Sequence, residues 1–297
     1  MEAKSISIKP QSSKLLWYAI PVLLLISTAI YLILNSKTAI SLDSALAAIN
    51  NDFFFYLLVG LAAQLVDGTL GMAYGITSTS SLLALGVPPA VSSASVHVAE
   101  MFTTGASAIS HYRFGNINKK LLKSLVIPGV LGAVAGAYLL SDLINGDFIK
   151  PYISAYMIIL GIVIIRKALQ KNIVKKKTKN INILAAFGGF IDSIGGGGWG
   201  PVVTSTLLGQ GRDPRYTIGS VNASEFAVSF ASGITFIIFQ GIDNWQVVAG
   251  LIIGGVIASP FGAFLVNKVR RRPLMILVGT VVILLSLRTI LKGFHLI

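Results

Sequence analysis

Residues 190–201 read FIDSIGGGGWGP, and residues 65–75 read LVDGTLGMAYG. With a shift of 125, Asp67 falls on Asp192, Gly71 on Gly196, and the pair Tyr74-Gly75 on Trp199-Gly200. The match runs on through Thr79-Ser80 on Thr204-Ser205, Leu82-Leu83 on Leu207-Leu208, Gly86 on Gly211 and Pro89 on Pro214. It then reaches Ser95-Val96 on Ser220-Val221 and Glu100 on Glu225. The same acid, glycines and proline in the same order mark an internal duplication. Each copy carries an acid and a glycine break inside an apolar run.

Composition sets the solvent. Of 297 residues, 54% are hydrophobic and 12% charged, and the mean hydropathy is +0.78. A soluble domain carries about 25% charged residues, so the chain is expected to sit in a bilayer. No cysteine is present, which excludes disulfides and thiolate metal sites. The net charge of +13 raises nucleic acid as a partner, but the basic residues lie between apolar segments, so none is expected. The apolar run from Leu15 to Leu34 lacks a small-residue cleavage site and reads as a retained transmembrane helix.

The expected fold is an all-α polytopic membrane protein of two inverted repeats. Each repeat is a short-helix hairpin plus three transmembrane helices, and one extra N-terminal helix precedes them. Residues 1–52 hold the N-terminal tail, that helix and an acidic link. The first repeat occupies 53–166, a basic linker 167–180 and the second repeat 181–297. Phe53–Val66, stopping at Asp67-Gly68, and Ile76–Leu85 are each too short to span alone, since spanning takes about 20 helical residues. They read as one hairpin around a glycine-rich break, and Ile181 through Gly195–Gly200 to Gly209 as the other. Such backbone is tolerated at membrane depth only where protein or a cavity surrounds it. Polar helices follow at Ala90–His111 and Tyr216–Phe239. Ordinary apolar helices are expected at Ser124–Leu140, Tyr152–Ile165, Trp245–Val266 and Leu274–Ile290, with a basic loop from Arg166 to Lys179.

Lysine and arginine orient this parse. With the N-terminus cytoplasmic and each hairpin returning to its own side, only Lys37, Lys150, Arg288 and Lys292 fall outside. That is a strong positive-inside bias, and it puts the C-terminus outside the plasma membrane. Each copy then starts and ends on opposite faces, so the copies insert upside down relative to each other, as in secondary transporters. No oligomeric state follows from the sequence.

Of eleven acids, four lie in apolar segments: Asp67, Glu100, Asp192 and Glu225. A charge at the bilayer centre costs about 2.5–3.5 kcal/mol on insertion scales, so function is the first expectation. Capping of a half-helix is the competing one for Asp67 and Asp192. His97, Glu100 and Thr104 share one helical face, and Asn222, Glu225 and Ser229 repeat it. The missing histidine counterpart of His97 argues against a metal site, and no cofactor is expected. Gly68, Gly71, Gly75, Gly195–Gly198 and Gly200 let backbone N–H groups approach a ligand. Thr77, Ser78, Thr204 and Ser205 lie in the first turns of the arms that follow, where a helix start offers free donors to an anion. The expected substrate site is therefore Gly71, Tyr74, Gly75, Thr77 and Ser78 with Gly196, Gly197, Gly198, Trp199, Gly200, Thr204 and Ser205. Tyr74 and Trp199 would wall it. Asp67, His97, Glu100, Asp192, Asn222 and Glu225 are expected to couple or gate. Tight packing of crossing backbones is the alternative use of the glycines. No lysine or arginine lies within 53–111, 181–211 or 216–266, a balance that suits a cation or proton path as well as an anion held on N–H groups.

Here the residues resemble a known family. DGTLGMAYG (67–75) with TSTSSLL (77–83), FIDSIGGGGWGP (190–201) with TSTLL (204–208), SVHVAE (95–100) and SVNASE (220–225) look like the TauE/SafE sulfite exporters of the TSUP superfamily. The resemblance covers roughly residues 53–290. It implies a transporter rather than an enzyme, moving a small sulfur oxyanion or organosulfonate across the cytoplasmic membrane, typically outward. The other readings of the residues are a cation or metal transporter built on the four acids and, distantly, an intramembrane aspartyl hydrolase using Asp67 and Asp192. Met72 and Ala73 stand where the second copy has Gly197 and Gly198, so an asymmetric site leaning on the second hairpin is expected.

Overall fold

A computed structural model describes residues 49–70, 72–113, 115–144, 146–170, 180–241, 244–265 and 269–294. The expected helix at 15–34, Gly71, and most of the basic linker lie outside the described residues. The chain divides into Met1–Ile49 and Asn50–Ile297, and the helices below belong to the second unit.

Among the described residues every regular element is a helix. The first half holds α1 (Asn51–Leu70), α2 (Tyr74–Leu85), α3 (Pro89–Arg113), α4 (Lys119–Tyr138, prolonged by a π-helical turn to Leu143) and α5 (Gly146–Leu169). The second holds α6 (Ile181–Gly195), a π-helical turn Gly200–Thr204 running into α7 (Ser205–Gly209), α8 (Pro214–Gln240), α9 (Trp245–Leu265) and α10 (Arg271–Gly293). Among the described residues four segments are long and apolar enough to cross a membrane: Lys119–Leu143, Phe148–Leu169, Arg215–Gln240 and Arg272–Gly293.

Local chemistry sets the ends. Asn118 caps α4 by accepting from the N–H groups of Lys120 and Leu121, and Asp213 caps α8 by accepting from Tyr216, with Pro214 at the first turn. Gly86 ends α2 in the left-handed region, its N–H returning to the last turn. Two expectations are corrected. Asp67-Gly68 does not stop the first arm, which continues as helix to Leu70. Arg166–Leu169 is helical rather than loop.

Helix pairing follows the duplication. α1 packs along α9, and its counterpart α6 packs along α4, the counterpart of α9. α3 packs on α8 and α5 on α10, each against its own counterpart. Both halves therefore lend their first arm to the other half. Small residues permit this. A Cβ on Gly60 of α1 would lie 2.7 Å from the Cα of Leu251, and one on Gly250 would lie 2.7 Å from the Cβ of Tyr56. Without a hydrophobic drive between helices in lipid, such close backbone contact supplies the packing energy. Outward faces carry Ile127, Leu131, Phe148 and Ile238, all well exposed, as a lipid-facing surface needs.

Candidate functional site

The two hairpin breaks, far apart in sequence, abut at the centre of the bundle. A Cβ on Gly75 would meet the Cα of Gly197 at 2.7 Å and the carbonyl oxygen of Gly196 at 2.8 Å. Thr79 donates its hydroxyl to Gly196 O, and Ser93 donates to Ser193 O. Both contacts tie α2 and α3 of the first half to the second break. Gly196 takes φ +65, the left-handed value that lets α6 end abruptly. Ala73 takes φ +93. For an alanine that conformation costs about 1–2 kcal/mol, so the first break is held against local preference by its surroundings.

Between the breaks lies a cavity of about 10 Å³, walled by Ala73–Ile76, Gly197, Gly198, Gly200 and Pro201 and closed by Glu100, Asp192 and Glu225. That is room for roughly one water. The closed void is too small for an oxyanion.

Asp192 organises the second break. Its Oδ1 accepts from the backbone N–H of Gly198 at 2.6 Å and of Trp199 at 2.8 Å. Hydrogen bonds to a charged acceptor are worth about 1.5–3 kcal/mol each, which offsets much of the cost of burying the carboxylate. Two of the N–H groups expected to meet a ligand at the second break, those of Gly198 and Trp199, are thus held by the protein's own aspartate.

Above this break His97, Glu100 and Asp192 converge, all buried. Nε2 of His97 faces the carbonyl oxygen of Asp192 at 3.2 Å, so that nitrogen carries a hydrogen. Its Nδ1 lies 3.3 Å from Glu100 Oε2, outside hydrogen-bond geometry, and 3.9 Å from Asp192 Oδ2. A lone pair facing two carboxylate oxygens is repelled unless a proton or a cation lies between them. The three donor atoms fall within 4.8 Å of one another and could hold a metal ion. Ser229 of α8 donates to Glu100 Oε2 at 3.1 Å, and Phe236 stacks on the imidazole. Asn222, the counterpart of His97, instead donates to Ser107.

The remaining expected residues disperse. Trp199 is fully buried against α4 and α6, its indole donating to Val221 O at 3.3 Å. Tyr74, by contrast, keeps its expected place on the wall of the small cavity while packing with Leu82, Val96 and Leu251. Neither Thr77, Ser78, Thr204 nor Ser205 lines the small cavity, yet all four hydroxyls are buried without a hydrogen-bond partner. Ser205 opens instead onto a larger cavity of about 570 Å³ beside the end of α5. Sequence reasoning missed Tyr156, whose buried hydroxyl lacks a partner and lies against Gly198. One tyrosine in an apolar helix gives no periodic signal.

Comparison with known proteins fits this architecture. A profile described as Sulfite exporter TauE/SafE matches residues 56–289, taking in both hairpins and all ten helices in whole or part. The "Probable membrane transporter protein YtnM" of Bacillus subtilis (strain 168) is 47% identical over 247 residues, covering 80% of this chain and 82% of its own length. Two further transporters of that organism, YunE and YjnA, are 22% and 23% identical, covering 81% and 79% of this chain and 98% of their own. No solved structure matches. The duplicated hairpins, the membrane helices and these matches agree that the chain belongs to the TauE/SafE sulfite exporter family of membrane transporters.

Proposed function

We propose that the chain carries a small sulfur oxyanion or organosulfonate, of the sulfite or sulfoacetate kind, outward across the plasma membrane. The transport path runs between two inverted halves. The observation that carries this reading is the meeting of both glycine breaks around one closed cavity. No basic side chain lies in these segments, so the anion would take backbone N–H groups at the paired helix starts, those of Gly198 and Trp199 once Asp192 releases them. The exchange of first arms between halves supports inversion, and binding at the repeat interface is where such carriers hold their substrates. Proteoliposomes should export sulfite, thiosulfate or a short sulfonate and ignore inorganic cations. Cation movement without any anion movement would refute the reading.

The sign of the substrate meets one difficulty. Glu100, Asp192 and Glu225 border the cavity, and an anion beside three carboxylates is repelled unless they are neutral. In this reading protons supply that neutrality, and a proton at His97 Nδ1 would also relieve its repulsion from the facing carboxylate oxygens. Glu100→Gln and Glu225→Gln are therefore expected to flatten the pH profile of transport while leaving substrate binding within about threefold of wild type. Unaltered pH profiles in both variants would remove proton coupling. A second reading, a cation carrier, is favoured by the convergence of His97, Glu100 and Asp192, and the same proteoliposome assay separates the two.

The inverted arrangement makes its own prediction. Single cysteines at Lys119 and Asp147 should be labelled from opposite faces, the first from the cytoplasm and the second from outside. Labelling of both from one face would end the inversion.

A further inference from the structure

The cavity of about 570 Å³ lies between the last turns of α5 and the outer side of the second break. Its walls include Arg166, Lys167, Pro201, Ser205 and Thr206. Three features set it apart. Lys167 Nζ is buried and has no hydrogen-bond partner. An ammonium shut away from water without an acceptor is costly, so the position calls for a negative partner. Ser205 Oγ is likewise buried and unpaired, although a membrane-helix serine commonly bonds its own backbone, as Thr206 does to Val202 O at 2.6 Å. Finally, Pro201 borders both this cavity and the small one between the breaks. Pro201 is thus shared by a wide, open groove bearing two basic residues and the closed centre.

From these features we infer that this groove is an outer anion seat, binding a tetrahedral or pyramidal oxyanion of sulfate or phosphate type before it passes Pro201 to the centre. Lys167 supplies the charge, Arg166 adds to it at the mouth, and Ser205 donates one directional hydrogen bond. The central segments lack cationic side chains, so the charge that draws an anion out of water is placed one step outside them. This rests on the oxyanion reading of the central cavity and adds the place where the anion is first caught. Two sources offer the same chemistry: a free inorganic anion, or the phosphate of a lipid headgroup reaching in from the bilayer edge.

The test uses the full chain in nanodiscs of phosphatidylcholine, titrated with radiolabelled thiosulfate. Lys167→Gln should weaken binding at least tenfold, the loss of a charged partner, and Ser205→Ala about threefold to tenfold, the loss of one hydrogen bond. Repeating the titration with phosphatidylglycerol added identifies the source. Undiminished thiosulfate binding assigns the seat to the free anion, whereas loss that depends on Lys167 assigns it to the headgroup. Wild-type affinity in both variants, with either lipid, overturns the seat. Failure of the central reading looks different: thiosulfate would still bind in a Lys167-dependent way, but proteoliposomes would move no sulfur anion.

Discussion

Gly75→Ala is expected to abolish transport in proteoliposomes while the protein still inserts and purifies. The added methyl would lie 2.7 Å from Gly197 Cα, 2.8 Å from Gly196 O and 3.1 Å from Glu100 Oε1. Carbon atoms rest at about 3.5–4.0 Å, and two of these three neighbours are backbone, so no rotamer change relieves the overlap. The breaks must separate by most of an ångström, which opens the closed cavity and disturbs the hydrogen bond from Thr79 to Gly196. Overpacking of this kind costs about 1–3 kcal/mol, which the fold survives but the closed form does not. Gly293→Ala is the control, because its Cβ position meets only Pro151 Cγ at an ordinary 3.8 Å. Wild-type transport by the Gly75 variant would show that closure of the breaks is no part of the cycle.

Gly254→Val should be more damaging still and should act on assembly. Gly254 lets α9 lie against α1, where a Cβ would fall on Leu57 O and 2.8 Å from Leu61 N. A branched side chain there drives two backbones apart along the most extensive helix pair of the first arm. Gly132 serves the exchanged pair in the same way, its Cβ position falling on Ala186 O and 3.0 Å from Phe190 N. Each substitution is expected to cost more than about 3 kcal/mol, seen as loss of the monodisperse peak in detergent and a collapsed melting transition. A well-folded Gly254→Val protein would mean that α1 and α9 are free to part.

Much of this was legible in the chain. The repeated order of acid, glycine and aromatic-Gly in DGTLGMAYG (67–75) and DSIGGGGWG (192–200) placed both hairpins, and the i, i+3 spacing of His97 and Glu100 placed them on one face. The second break fell where FIDSIGGGGWGP put it, because four glycines leave a helix little alternative. The first break was placed too early, since Asp67-Gly68 looks like a stop yet the helix runs through it to Leu70. Trp199 could not be assigned from sequence either. An aromatic beside glycines fits a substrate wall or a core anchor equally, and only the neighbours of its indole, Gly129 and Gly188, tell where it lies. Nor does any local pattern reveal that α1 pairs with α9 rather than with an arm of its own half.

The carboxylate of Asp192 has one more implication. It sits on the Gly198 and Trp199 N–H groups as a bound oxyanion would, so on the proposed anion reading the protein carries a tethered mimic of its cargo. A tethered mimic competes at an effective concentration no free anion matches, and it leaves only when another acceptor, or a proton, makes leaving cheap. On the anion reading, the closed form would be plugged by one of its own side chains, which would keep the paired breaks from passing every small anion in the cell.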